Sequence, residues 1–383
     1  MDLELKPLIE INYNELSALI LKVLKYKAET NDDDFVPYTP AYTKYSVEVT
    51  FPNRDLFFGI YSDEKLVGTI GGTLVPILFQ GIEMLSSAIT FYAIDPDLLP
   101  LDREIRKEIF QYLIDKIKEF NVDLIWIIII NQNNKEEAKI FKEDLSFIRI
   151  NKNVESLVKL LGSKGVDILR KKKKMNIVLA KLAKLMAGME NIDLPGGTIR
   201  KATPKDYPKV VELLNAYSKV LPLTQVWTLE TFQRYINIIS QLNYTDYSAL
   251  KTEYPNTPFG AHIRVWERDK QIIAAILYRI VNIHFVNGDA PFGFWDYIAF
   301  SQDLDFSEKK AFLVTIYNEL YLKAIIIAIF LPYYDFKTIS KSGFMSERRK
   351  TQLLIRPLTD NGKKLLKLEK LKAFYLPSLD FAI

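Results

Sequence analysis

The side chains that most enzymes use for covalent or metal chemistry are scarce in this sequence. It has no cysteine, which excludes disulfides, thiolate nucleophiles and Cys-ligated zinc. Its two histidines, His262 and His284, are too few for a His-rich metal site. Both sit in strand-like runs, where a structural histidine is the expectation, and no metal is expected. What remains is charge. Asp32, Asp33 and Asp34 form an acidic loop that could receive a cationic amine; the plain alternative is a solvated loop. Arg103, Arg106 and Lys107 open an amphipathic helix, and a helix N-terminus with basic side chains attracts phosphate. Arg170 to Lys174 precede a stretch at 176–189 in which Leu179, Leu182, Leu185 and Met186 share a helical face, with Lys181 and Lys184 off it. A helix packed between domains accounts for this stretch. Peripheral contact with an anionic membrane surface is the competing reading.

The elements that must position these residues can be read from pattern. A chain of 383 residues, 49% hydrophobic and 26% charged, is globular and long enough for two domains. Lys plus Arg number 51 against 47 Asp plus Glu, and a net charge of +4 is too mild to argue for nucleic acid, so none is expected as a partner. The start, MDLELKPLIE, lacks the apolar core of a signal peptide. The longest apolar runs, LIWIIII at 124–130 and AIIIAIF at 324–330, are near strand length and far short of the roughly 20 residues of a membrane helix. They read as central strands buried on both faces. A soluble, cytoplasmic, monomeric protein is expected.

The two isoleucine runs also point to duplication. Residues 55–75 and 260–281 read as hairpins of one design, turning at Ser62-Asp63-Glu64-Lys65 and at Glu267-Arg268-Asp269-Lys270, with Lys65 and Lys270 as counterparts. A third strand follows in each half, AITFYAID at 88–95 and FWDYIAF at 294–300, pairing Tyr92 with Tyr297. Then come an amphipathic helix (103–120 and 307–323), an all-apolar strand, and a short helix ending near Phe147 and Phe344. Each half also begins with a helix, 12–24 and 205–221. The breaker Leu194-Pro195-Gly196-Gly197 marks the junction, giving domains 1–194 and 195–383. The fold class expected is α/β with mixed sheets, in two tandem domains related by duplication.

This order of elements resembles the GNAT superfamily of acyl-CoA-dependent acyltransferases, and a fused pair of this length resembles the N-myristoyltransferases. KLVGTIGG at 65–72, the acidic-aromatic NDDDF with Tyr38 and Tyr42, LPLTQVWTLETF at 221–232 and the Gly343-Phe344 pair are similar to segments of that family. The resemblance covers roughly residues 12–358. It implies acyl-CoA as co-substrate, held by the N-terminal domain through Ala93, Ile94, Arg103, Arg106 and Lys107. It implies a peptide or amine acceptor at the C-terminal domain, met by Asp32, Asp33, Asp34, Tyr38 and Thr224. AITFYAID falls at the family's oxyanion strand, so the N–H groups of Phe91 and Tyr92 become candidate oxyanion donors; their plain alternative is core strand. The family's use of its terminal carboxylate as base implies Ile383 here, within the apolar tail AFYLPSLDFAI, with Asp380 as rival.

One departure concerns the phosphates. The loop DPDLLPLDREIRK at 95–107 has no glycine, whereas the superfamily closes backbone N–H groups on pyrophosphate with glycines or a small residue. Direct amine acylation from a thioester needs proximity and oxyanion donors, not a Cys or His nucleophile. The expected activity is transfer of an acyl group to a protein or peptide N-terminal amine. The alternatives are acetylation of a small amine or lysine, and a non-catalytic tandem binding protein.

Overall fold

The computed structural model describes residues 3–365 except 32–34, 53, 131–134, 151–156, 172–179, 182, 185–186, 217–220, 222, 241–253, 286–287, 322, 330–334 and 347–350. In the N-terminal half the strands are β1 (Glu4–Pro7), β2 (Phe57–Ser62), β3 (Lys65–Phe79), β4 (Ile82–Ile94), β5 (Leu124–Ile130), β6 (Ile148–Arg149) and β7 (Leu157–Leu160). The helices there are α1 (Tyr13–Asn31), α2 (Pro40–Thr50), α3 (Arg103–Lys118), α4 (Lys135–Lys139) and α5 (Ser163–Lys171). The C-terminal half holds β8 (Thr198–Lys201), α6 (Tyr207–Ala216), β9 (Leu223–Gln225), α7 (Leu229–Ser240), β10 (Gly260–Arg268), β11 (Gln271–Phe285) and β12 (Gly288–Phe300). It continues with α8 (Phe306–Leu320), β13 (Ile326–Ile329), α9 (Phe336–Lys341), β14 (Met345–Ser346), β15 (Thr351–Pro357) and α10 (Asp360–Lys364).

Two mixed sheets carry this order. The first runs β1-β2-β3-β4-β5-β15-β6, with β9 added beside the far end of β3; the second runs β14-β7-β13-β12-β11-β10-β8. The halves therefore exchange strands. β7, which precedes the junction expected at 194, lies between β13 and β14, while β15, which follows it, lies between β5 and β6. Each exchanged strand is held by main-chain hydrogen bonds in the sheet of the other half.

Pairing registers correct the count of the duplication. Ser62 pairs Lys65 and Arg268 pairs Gln271; Phe79 pairs Ile82 and Phe285 pairs Gly288. Both hairpins are related by 206 residues, one more than the offset taken from the lysines. The second turn is centred on Asp269 and Lys270, whose φ of 50° and 62° match 47° and 64° at Asp63 and Glu64. Two consecutive left-handed residues give the primed turn whose twist suits a hairpin. Tyr297 is accordingly the counterpart of Phe91, not of Tyr92.

The all-apolar strand β5 is buried on both faces. Ile125, Ile127 and Ile129 pack with Ile109, Leu113 and Ile117 of α3, while Leu124 and Trp126 pack with Met84 and Leu353 on the other side. Such a strand cannot alternate, because neither face meets water. Among the described residues no helix is long and apolar enough to cross a membrane.

Candidate active site in the split of the first sheet

β4 and β5 begin as parallel neighbours, paired at Ser86–Leu124, Ser87–Ile125 and Ala88–Trp126. There the partnership ends, although β4 runs on to Ile94 and β5 to Ile130. The second sheet splits at the equivalent place, after Phe294–Ala328. A sheet that opens this way offers backbone polar groups to a ligand lying between two buried strands.

Just beyond the first split, β4 carries a bulge. Thr69 pairs Ala93 and Gly71 pairs Thr90, so Phe91 and Tyr92 stand opposite Ile70 alone. Phe91 has φ +56°, a left-handed conformation that a residue with a bulky side chain adopts only when its surroundings hold it there. Two contacts do so. Thr69 Oγ1 donates a 2.8 Å hydrogen bond to the Phe91 carbonyl. The Phe91 ring, fully buried, meets the stacked pair Phe51–Phe57 (4.4 Å) edge-on, at 5.3 and 5.6 Å. Gly71 makes room for this cluster, since a Cβ there would enter the Phe51 ring. In a planar trans peptide the N–H points opposite to the C=O. With the Phe91 carbonyl tied to Thr69, the Tyr92 N–H is directed away from Thr69. The Tyr92 side chain turns to the other face, 4.6 Å from Phe110 of α3, and burial pushes its phenol well above the usual value. Ala93 and Ile94 complete the strand and are buried.

Helix α2 was not legible in the hydrophobic pattern, yet it joins the two sheets. Thr39 caps it and Pro40 opens it, a local start signal that the tyrosine-rich stretch obscured. From the first sheet, the Thr73 hydroxyl reaches the Thr50 carbonyl at the end of α2. From the second, Arg279, the counterpart of Thr73 at an offset of 206, donates to Tyr45 Oη (3.0 Å) and Tyr42 Oη (3.3 Å). Arg279 is in turn bound bidentately by Asp296, at 2.7 and 2.8 Å, with both side chains almost fully buried. The last residue past α2, Phe51, belongs to the cluster under Phe91.

The expected phosphate end is differently disposed. Asp102 caps α3, its carboxylate accepting from the Glu104 N–H. Arg103 binds Asp144 (2.9 Å) and Glu143 (2.7 Å), which hold its guanidinium charged. Arg106 binds Glu137 at 3.1 Å and Lys107 binds Glu104 at 2.9 Å, the latter raising the lysine. Lys22 of α1 reaches both Asp95 (2.6 Å) and Asp97 (2.5 Å). Burial pushes Asp95 up, but the Lys22 ammonium and the Asp97 amide more than offset it and leave its carboxyl below the usual range.

Of the acceptor residues expected from the sequence, Tyr38 is buried against Tyr42, with its carbonyl accepting from Ser17 Oγ at 2.6 Å. Thr224 lies on β9, paired with Leu78 of β3, and is buried with no hydrogen-bond partner for its hydroxyl among the described residues. Phe35, directly after the acidic loop, is bridged to His284 through both backbone amides. Asp32, Asp33 and Asp34 lie outside the described residues. So do Lys172–Lys174, the apolar face at Leu179, Leu182, Leu185 and Met186, and the tail with Asp380 and Ile383.

No family model matches the chain, and no curated protein does. Solved structures do. Saccharomyces cerevisiae N-myristoyltransferase with bound myristoyl-CoA aligns over 92% of this chain and 82% of its own, at 13% identity and a TM-score of 0.66. A second structure of that enzyme, with bound myristoyl-CoA and inhibitors, aligns over 93% and 80% at 14% identity and a TM-score of 0.67. A GCN5-related N-acetyltransferase from Anabaena variabilis aligns over 94% and 73% at 10% identity and a TM-score of 0.55. The chain thus has a GNAT-like fold resembling that of N-myristoyltransferase.

Proposed function

We propose that this chain is an acyl-CoA-dependent N-acyltransferase whose acceptor is the N-terminal amine of a peptide or protein. The observation that carries the reading is the bulge at Phe91 and Tyr92, set just past the split and held by Thr69. The acyl donor lies along β4 beside Ala93 and Ile94, with its thioester carbonyl at the Tyr92 N–H. The amine nitrogen attacks that carbonyl carbon, a C–N bond forms, and the C–S bond breaks. Oxyanion charge that develops on the way is met by the backbone donor, the kind of interaction that strengthens only in the transition state. The amine proton passes to a carboxylate, the chain end of Ile383 or Asp380, and the thiolate leaves and is protonated. Asp32, Asp33, Asp34 and Tyr38 from the N-terminal half and Thr224 from the C-terminal half meet the acceptor, and the donor's residues come from the N-terminal half. The fold of the yeast enzyme, solved with myristoyl-CoA, supports a long acyl chain.

The test is transfer itself. Purified protein is incubated with acetyl- and myristoyl-CoA and peptides bearing a free or blocked N-terminus, and products are weighed by mass spectrometry. Acylation of the free amine only is the expected result. Transfer to a lysine side chain alone would replace the acceptor, and binding without transfer would make the protein a non-catalytic receptor.

A further inference from the structure

The α3 end of the split is closed against phosphate by the chain's own carboxylates. Among the described residues, four cations at this end are paired with carboxylates: Lys22 with Asp95 and Asp97, Arg103 with Glu143 and Asp144, Arg106 with Glu137 through one terminal nitrogen, and Lys107 with Glu104. The helix terminus, which would otherwise attract an anion, is capped by the Asp102 carboxylate. The backbone supplies no anion-binding concavity either. Such a nest needs a left-handed residue among right-handed ones, and no residue from 95 to 107 has a positive φ. A pyrophosphate entering here would have to displace carboxylates that then remain beside it.

Among the described residues, the equivalent end of the second sheet also carries ion pairs. Asp305 and Glu308 close a capping box on α8, Arg268 binds Glu308 at 2.6 Å, and Lys309 binds Asp335 at 3.2 Å.

Building on the acyltransferase reading, we infer that the donor is recognised through its acyl chain and pantetheine arm, and that the phosphates of its carrier are not held by the described residues at the α3 end of the split. The substrate class is then pantetheine thioesters in general, with acyl-CoA as one member. The neutral arm can run along β4, whose backbone continues to Ile94 beyond the end of its pairing with β5.

The experiment compares acyl-CoA with acyl-pantetheine carrying the same acyl group, on the full chain and one acceptor peptide. The expected kcat/KM values agree within about threefold. For acyl-CoA, kcat/KM stays flat between about 0.05 and 0.5 M salt, because no exposed ion pair forms on binding. A preference for acyl-CoA above about tenfold, or a fall of that size with salt, overturns the inference and leaves the acyltransferase reading standing. Transfer from neither donor overturns both.

Discussion

Thr69 Oγ1 and the Phe91 carbonyl are 2.8 Å apart, and this hydrogen bond sets the orientation of the Phe91–Tyr92 peptide at the mouth of the split. Thr69→Val keeps the shape and removes the donor. If the Tyr92 N–H stabilises the oxyanion, turnover falls by about 100-fold, while thermal unfolding shows a loss of only about 1 kcal/mol. Thr69→Ser restores turnover. An ester in place of the Tyr92 amide, made by semisynthesis, loses activity by the same order; normal turnover from it would reject the role.

The base is separated by three variants at the chain end. Deleting Ile383 or adding a glycine after it moves the terminal carboxylate, and turnover is expected to drop while acyl-CoA affinity holds. A buried α-carboxyl rises from about 3.5 towards a useful basicity. Should Asp380→Asn alone abolish turnover, Asp380 takes the role instead.

Arg279 and Asp296 form a buried pair whose partners reach across to α2. Removing one member leaves a charge in the core. Asp296→Asn or Arg279→Met is expected to cost about 3–5 kcal/mol in urea unfolding. The double variant Arg279→Met with Asp296→Leu recovers much of this, because an apolar pair needs no compensation. Single variants with wild-type unfolding midpoints would show that the pair contributes nothing.

Asp206 gives the clearest acid dependence. Arg200 grips its carboxylate at 2.7 and 2.9 Å and, with the Thr203 amide and hydroxyl, holds its carboxyl well below the usual range. A depressed folded-state pKa stabilises above the unfolded value of about 3.9, and that stability is lost as pH falls through the folded value. Asp206→Asn therefore unfolds more easily than wild type at pH about 7, and the gap narrows as the pH falls below about 4. A gap that stays constant into strong acid would contradict the ion pair's role.

Residues 124–130 show what local sequence carries on its own. Seven consecutive apolar residues, rich in β-branched isoleucine and too short for a membrane helix, read as a strand with two buried faces, and β5 is one. Hairpins and the amphipathic helix α3 were equally legible, because periodicity is a local property. Their order, repeated twice, was enough for the fold class. Register was not: matching lysines placed the repeat one residue short, since the hydrogen-bond ladder, not residue identity, decides which residues correspond. Nor could β7 and β15 be assigned to sheets. A strand's propensity says nothing of which edge it will join, and here each joined the sheet of the other half. The left-handed Phe91 was invisible because its conformation is sustained by Thr69, Phe51 and Phe57, residues at distances of 22 to 40 positions along the chain. The ion pairs of Arg103 were invisible for the same reason: its carboxylate partners lie 40 and 41 residues further on, and only folding brings those charges within contact.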